Sequence, residues 1–100
     1  RKAQPLPRFP AVVRDVAIVV AEELPVAIAA AELRQAAAGL AEAVDLFDLY
    51  RGEHVPAGRK SLGLRITYRD PSQTLTDAAV DALHAEVVKK AIAALGGAVR

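Results

Sequence analysis

The residue types best suited to recognition chemistry cluster in the middle of the chain. Asp48 and Tyr50 stand two apart, and Ser61, Gly63, Arg65, Thr67 and Arg69 follow at the same interval. In an extended strand this interval puts side chains on one face. The face would carry an aromatic ring, a carboxylate, a hydroxyl, two guanidinium groups and a very small side chain. A ring on an open sheet beside small residues is a platform for an unstacked nucleic-acid base. A carboxylate accepts from the N1–H and N2–H₂ edge of guanine, a polarity that favours guanine over adenine. Arg65 and Arg69 would meet phosphates. Residues 50–69 hold Arg51, Arg59, Lys60, Arg65 and Arg69 against Glu53 alone, which points a positive edge toward that side.

Plainer readings stand beside these. Tyr50 serves equally as a packing residue at a subunit or domain interface. Asp48 suits a hairpin cap or a surface pair with Arg65, worth ~0–1 kcal/mol. Arg14 and Asp15 read as a strand-edge charge pair that opposes aggregation. Phe9, Phe47 and Tyr68 are expected in the core, and His84, on a helix, at the surface or the boundary. His54 sits in a loop, exposed or against phosphate. No Ser/His/Asp triad, phosphate loop or metal motif is visible, so no catalytic residue is assigned.

These side chains need elements to hold them. Val12 to Val20 is β-branched, with Val16, Ile18 and Val20 on one face and Asp15, Ala17 and Val19 on the other. Residues 28–38 are Ala-rich and read as a helix, with Glu32 and Arg34 solvated and Gly39 as its stop. Residues 41–51 form a second strand, with Phe47 and Leu49 opposed to Asp48 and Tyr50. A loop over 52–60 contains Gly52, Pro56 and Gly58. The third strand, about Ser61 to Arg69, sets Leu62, Leu64, Ile66 and Tyr68 against the polar positions. Thr76 caps a second helix with Asp77 in its first turn. Val80, Leu83, Val87, Ala91, Ile92 and Leu95 supply its apolar face, Gly96-Gly97 end it, and Ala98 to Arg100 start a short last strand.

The order β-α-β-β-α-β specifies an α+β fold. Two split β-α-β units place both helices on one face of a four-stranded antiparallel sheet, a ferredoxin-like plait. The other face is left for Tyr50, Asp48 and their neighbours. Residues 1–10, with Pro5, Pro7 and Pro10, read as an entering linker, and 11–100 as the domain.

Composition agrees with one small domain. The chain has 100 residues, 53% hydrophobic and 25% charged, with a net charge of +1. It can bury a core and is no electrostatic magnet as a whole. The absence of Cys excludes disulfides and thiol chemistry, and two His are too few for a His-built zinc site. No apolar run approaches a membrane span, and the composition suits the cytosol. Opening on Arg1 with no Met anywhere, the chain reads as a domain excised from a longer one.

Three other uses of a plait compete. An amino-acid-binding regulatory domain of the ACT type needs a Gly-rich loop after strand one, where Ala21-Glu22-Glu23-Leu24-Pro25 offers none. An acylphosphatase needs a loop Arg with an Asn, and the chain has no Asn. A structural dimerisation domain would use the open face without touching nucleic acid.

A resemblance adds to this reading. Phe9-Pro10, Arg14-Asp15, Leu46-Phe47-Asp48-Leu49-Tyr50-Arg51-Gly52, Gly58-Arg59-Lys60-Ser61-Leu62, Thr74-Leu75-Thr76-Asp77 and Arg100 together resemble the ferredoxin-fold anticodon-binding domain. That domain closes the β subunit of bacterial phenylalanyl-tRNA synthetase. The likeness runs from about Leu6 to Arg100. It implies the plait reached above, and binding of the anticodon stem-loop of phenylalanine tRNA. It implies a parent of (αβ)₂ form, a phenylalanine–tRNA ligase. There the α subunit would activate phenylalanine with ATP and Mg²⁺, and this domain would hold no cofactor. By resemblance Tyr50 stacks on the first anticodon base, a guanine; Asp48 and Ser61 are its polar contacts, and Ala17 is the small residue beneath it. Arg14 and Arg65 fall in motif positions and would serve as backbone contacts. The family usually has a Glu in the first turn of the second helix; here Asp77-Ala78-Ala79 lacks it, which removes a capping box and no recognition group.

Overall fold

Alternation in the third strand organises the molecule, a computed structural model that describes residues 9–100. In β3 (Arg59–Tyr68), Leu62, Leu64, Ile66 and Tyr68 are all fully buried. β3 pairs antiparallel with β1 (Val12–Ala21) on one side and β2 (Ala41–Tyr50) on the other. The two-residue β4 (Ala98–Val99) pairs with Ile18 and Val19 of β1, giving the order β2-β3-β1-β4. β4 reaches only Ile18 and Val19, so among the described residues the Arg14–Asp15 stretch of β1 has β3 on one side and no strand on the other. The two charges expected to pair there do not bond each other: Arg14 binds Asp77 and Asp81, and Asp15 binds Arg65.

Helices α1 (Val26–Ala36) and α2 (Asp77–Leu95) cover one face. Ala29 and Leu33 of α1 and Val80, Val87 and Ala91 of α2 join Ile18, Val20, Leu62, Leu64, Ile66 and Tyr68 in a single cluster. Fully burying a side chain of this size contributes ~1.5–3 kcal/mol, so this cluster sets the stability of the plait. Small residues on α1 let it lie close to α2 and the sheet.

The helix ends follow local chemistry. The Ala79 amide donates to Oγ1 of Thr76 at 3.1 Å, and Gly96 closes α2 with φ 65°. α1 begins at Val26, after Pro25, and ends at Ala36 rather than at residue 38. The chain turns left-handed at Ala38 (φ 51°), one residue before Gly39. β3 starts two residues earlier than the pattern predicts, at Arg59. Apart from Phe9 and Pro10, the expected linker lies outside the described residues. No helix among the described residues is long and apolar enough to cross a membrane.

Candidate nucleic-acid interface

The register places the site. On the face away from the helices, four cross-strand rows run over the sheet: Val13–Thr67–Ala43, Asp15–Arg65–Asp45, Ala17–Gly63–Asp48 and Val19–Ser61–Tyr50. Tyr50, Asp48, Ser61, Ala17 and Arg65 are thus brought together on one surface. Arg14 is not. It sits on the helix side, where its Nε donates to Asp81 at 2.9 Å and its Nη2 to Asp77 at 3.2 Å. Those carboxylates project from the first turns of α2, so Arg14 ties the helix to β1.

Tyr50 is half-buried. The guanidinium carbon of Arg100 lies 4.4 Å from its ring centroid. The Arg100 amide donates to the carbonyl of Ala17 at 2.9 Å, so the chain beyond β4 is pinned beside the smallest residues of the face. Ser61, between Tyr50 and Val19, is only 1% exposed. Asp48 is exposed and takes part in none of the ion pairs among the described residues. Arg65, the partner expected for it, instead forms a fork with Asp15 at 2.8 and 2.9 Å. These bonds hold the Asp15 carboxyl below the usual carboxylate range.

Phe47 corrects the expectation that it packs in the core. It is 50% exposed and lies on the open face. A β-bulge between Leu46 and Asp48 inserts one extra residue, so Leu46 opposes Leu64 and Leu49 opposes Leu62 with Phe47 and Asp48 between them. The Phe47 ring reaches over Gly63, where an added Cβ would lie 3.1 Å from Cζ and 3.1 Å from Cβ of Asp48. Arg65 stacks on the ring at 4.8 Å from the centroid. The signal was present in the chain: apolar residues at 44, 46 and 49 break the interval of two by one. Tyr68 is buried as expected, and Phe9 is half-buried outside the core cluster.

The expected positive edge is largely neutralised. Arg51 forks onto Glu22 at 2.6 and 2.5 Å, which holds that carboxyl low. Arg69 donates to Glu42 and to the carbonyl of Phe9, both at 2.6 Å. Arg59 donates to the carbonyl of Gly96, and Lys60 is 7% exposed. His54 is exposed in the loop, with φ 70°.

What remains on the face is an aromatic–acid pair on a floor of small residues, with cations at its margins. Such a surface can stack a flat ring and read its hydrogen-bonding edge. Comparison with known proteins bears on which ring. The model of the ferredoxin-fold anticodon binding domain matches residues 7–100. The phenylalanine–tRNA ligase beta subunit of Anaeromyxobacter dehalogenans is 48% identical over 97 residues, covering 97% of this chain and 12% of that protein. That of Halalkalibacterium halodurans is 45% identical over 101 residues, with 97% and 12% covered. The Clostridium acetobutylicum subunit is 37% identical over 100 residues, with 100% and 13% covered. The chain thus spans roughly an eighth of the length of these curated relatives.

Proposed function

Because this chain belongs to the ferredoxin-fold anticodon-binding domain family, we propose that it reads the anticodon stem-loop of phenylalanine tRNA as part of a phenylalanine–tRNA ligase beta subunit. The observation that carries this reading is the placement of Tyr50 and Asp48 in adjacent rows of one open sheet face, above Ser61, Gly63 and Ala17. The Tyr50 ring stacks on the first anticodon base. The Asp48 carboxylate accepts from the Watson–Crick edge of a guanine, which an adenine cannot supply in the same polarity. Ala17 leaves room for the base, Arg100 and Arg65 stand at its sides, and Gly63 lies beneath the Phe47 ring. Ser61 is reached only after the groups over it move aside, so its contact follows entry of the base.

On this reading the domain adds binding energy and selection, far from the reacting carboxylate. Activation of phenylalanine with ATP and Mg²⁺ falls to the α subunit of an (αβ)₂ parent. One stack contributes ~1–3 kcal/mol, and a carboxylate pair to guanine discriminates by a similar amount. The chain alone therefore binds tRNA weakly, and more weakly as salt rises.

The test is Tyr50→Ala and Asp48→Asn in the parent ligase. Weaker tRNA binding with amino-acid activation intact supports the proposal. Unchanged tRNA affinity with loss of subunit assembly would establish the face as a structural interface instead.

A further inference from the structure

The open face holds a second exposed aromatic that the anticodon reading above does not use. Phe47 comes from the bulge of β2 and is half exposed, its ring open to a ligand on the sheet face. Gly63 lets it rest on the sheet, since any Cβ there would crowd the ring. Arg65 lies over it and is held in place by both oxygens of Asp15. At 4.8 Å from the centroid the guanidinium leaves no room for a base between the two, so a base stacks on that side of the ring only as Arg65 swings aside toward a phosphate.

The spacing of the two rings matters. Tyr50 stands opposite Ser61, and Phe47 reaches over Gly63, two residues along the same strand. That separation is about 7 Å along the sheet at ~3.3 Å per residue. Open four-stranded sheets that carry two aromatics in this way take two or three consecutive unpaired bases. Asp48 lies between the two rings in sequence, where it meets the edge of a base on either. We propose that Phe47, framed by Arg65, is a second base-stacking platform for the nucleotide adjoining the one held on Tyr50. The inference rests on the anticodon reading. The ligand is an unpaired nucleotide of either purine or pyrimidine type, because stacking is tolerant of base identity.

The experiment uses the chain with an RNA stem-loop that has a guanine in its loop. 2-Aminopurine replaces each of the other loop bases in turn. Phe9 and Phe47 are the only phenylalanines, so Phe47→Leu assigns the ring signals in an NMR titration. The Phe47 ring signals should shift on binding, and the 2-aminopurine beside the guanine should be quenched. Phe47→Ala should relieve quenching at that position alone and weaken binding about 5- to 150-fold. Phe47→Tyr should keep both properties, which separates loss of a stack from loss of the fold. If Tyr50→Ala weakens binding while Phe47→Ala changes neither affinity nor quenching, the second platform is refuted and the anticodon reading survives. If neither variant alters affinity, or the stem-loop does not bind, both readings fall.

Discussion

The guanidinium of Arg100 rests on the Tyr50 ring, 4.4 Å from its centroid, although β2 and β4 lie at opposite edges of the sheet. The distance leaves no room for a base between them, so a base that stacks there must move the guanidinium outward. Arg100→Ala removes this competing contact but also the phosphate pairing open to the displaced cation, so tRNA affinity should fall at low salt and approach that of the unaltered chain as salt rises. The slope of log affinity against log salt should fall by about one phosphate's worth. Titration at two salt concentrations checks both.

Gly63→Ala tests the floor of the face. The new methyl would stand 3.1 Å from Phe47 Cζ and from Asp48 Cβ. The exposed ring can swing away, but the Asp48 Cβ is fixed to the strand. Unfolding in denaturant should show a loss of about 1 kcal/mol, at the low end for overpacking. RNA affinity should fall by more than this stability loss explains, because both displaced side chains face the ligand.

Gly97→Ala should undo the short strand. An added Cβ would lie 2.8 Å from the carbonyl oxygen of Val19, a backbone atom that cannot yield. β4 should then separate from β1, seen as rapid amide exchange at Arg100, whose N–H donates to Ala17 in the native fold. The ring signals of Tyr50 should move with it, since Arg100 leaves.

The contact between buried Tyr68 and half-buried His84 predicts a pH dependence. The Tyr68 hydroxyl lies 2.8 Å from His84 Nδ1, and His84 Nε2 faces the carbonyl of Asp15 at 3.3 Å. The tautomer consistent with both has Nε2–H donating to Asp15 and Nδ1 accepting from the phenol. Burial lowers the His84 pKa and pushes the Tyr68 phenol up to about 12. The native state therefore disfavours the proton on His84. Its contribution is complete above the unfolded pKa of about 6.5 and is lost as pH falls through the lowered native value. Unfolding free energy measured at about pH 7 and pH 5 should show this fall, and His84→Gln should reduce it. Tyr68→Phe should cost about 1 kcal/mol at neutral pH.

The plait was legible because β3 alternates without a break and because Thr76 and Gly96 mark the ends of α2. Asp48 and Tyr50 were placed correctly for the same reason, since both lie beyond the irregularity of β2. Phe47 was misplaced because an alternation count assumes an unbroken ladder, and the bulge shifts the phase by one residue. Arg14 carries no local mark of its partners. Asp77 and Asp81 lie more than sixty residues away and reach it only through the packing of α2 on β1. The charge cluster at 50–69 misled because the acids that neutralise it, Glu22, Glu42 and Asp15, come from other strands and loops.

That internal neutralisation has a kinetic consequence. With Arg51, Arg65 and Arg69 each bound to a carboxylate, the sheet projects little long-range field toward a polyanion. Capture of an RNA by this surface is then governed by encounter and fit at close range, with little electrostatic acceleration. On the proposed function, fast docking of a whole tRNA would be guided by other parts of the parent ligase, leaving this face to decide whether the visitor stays.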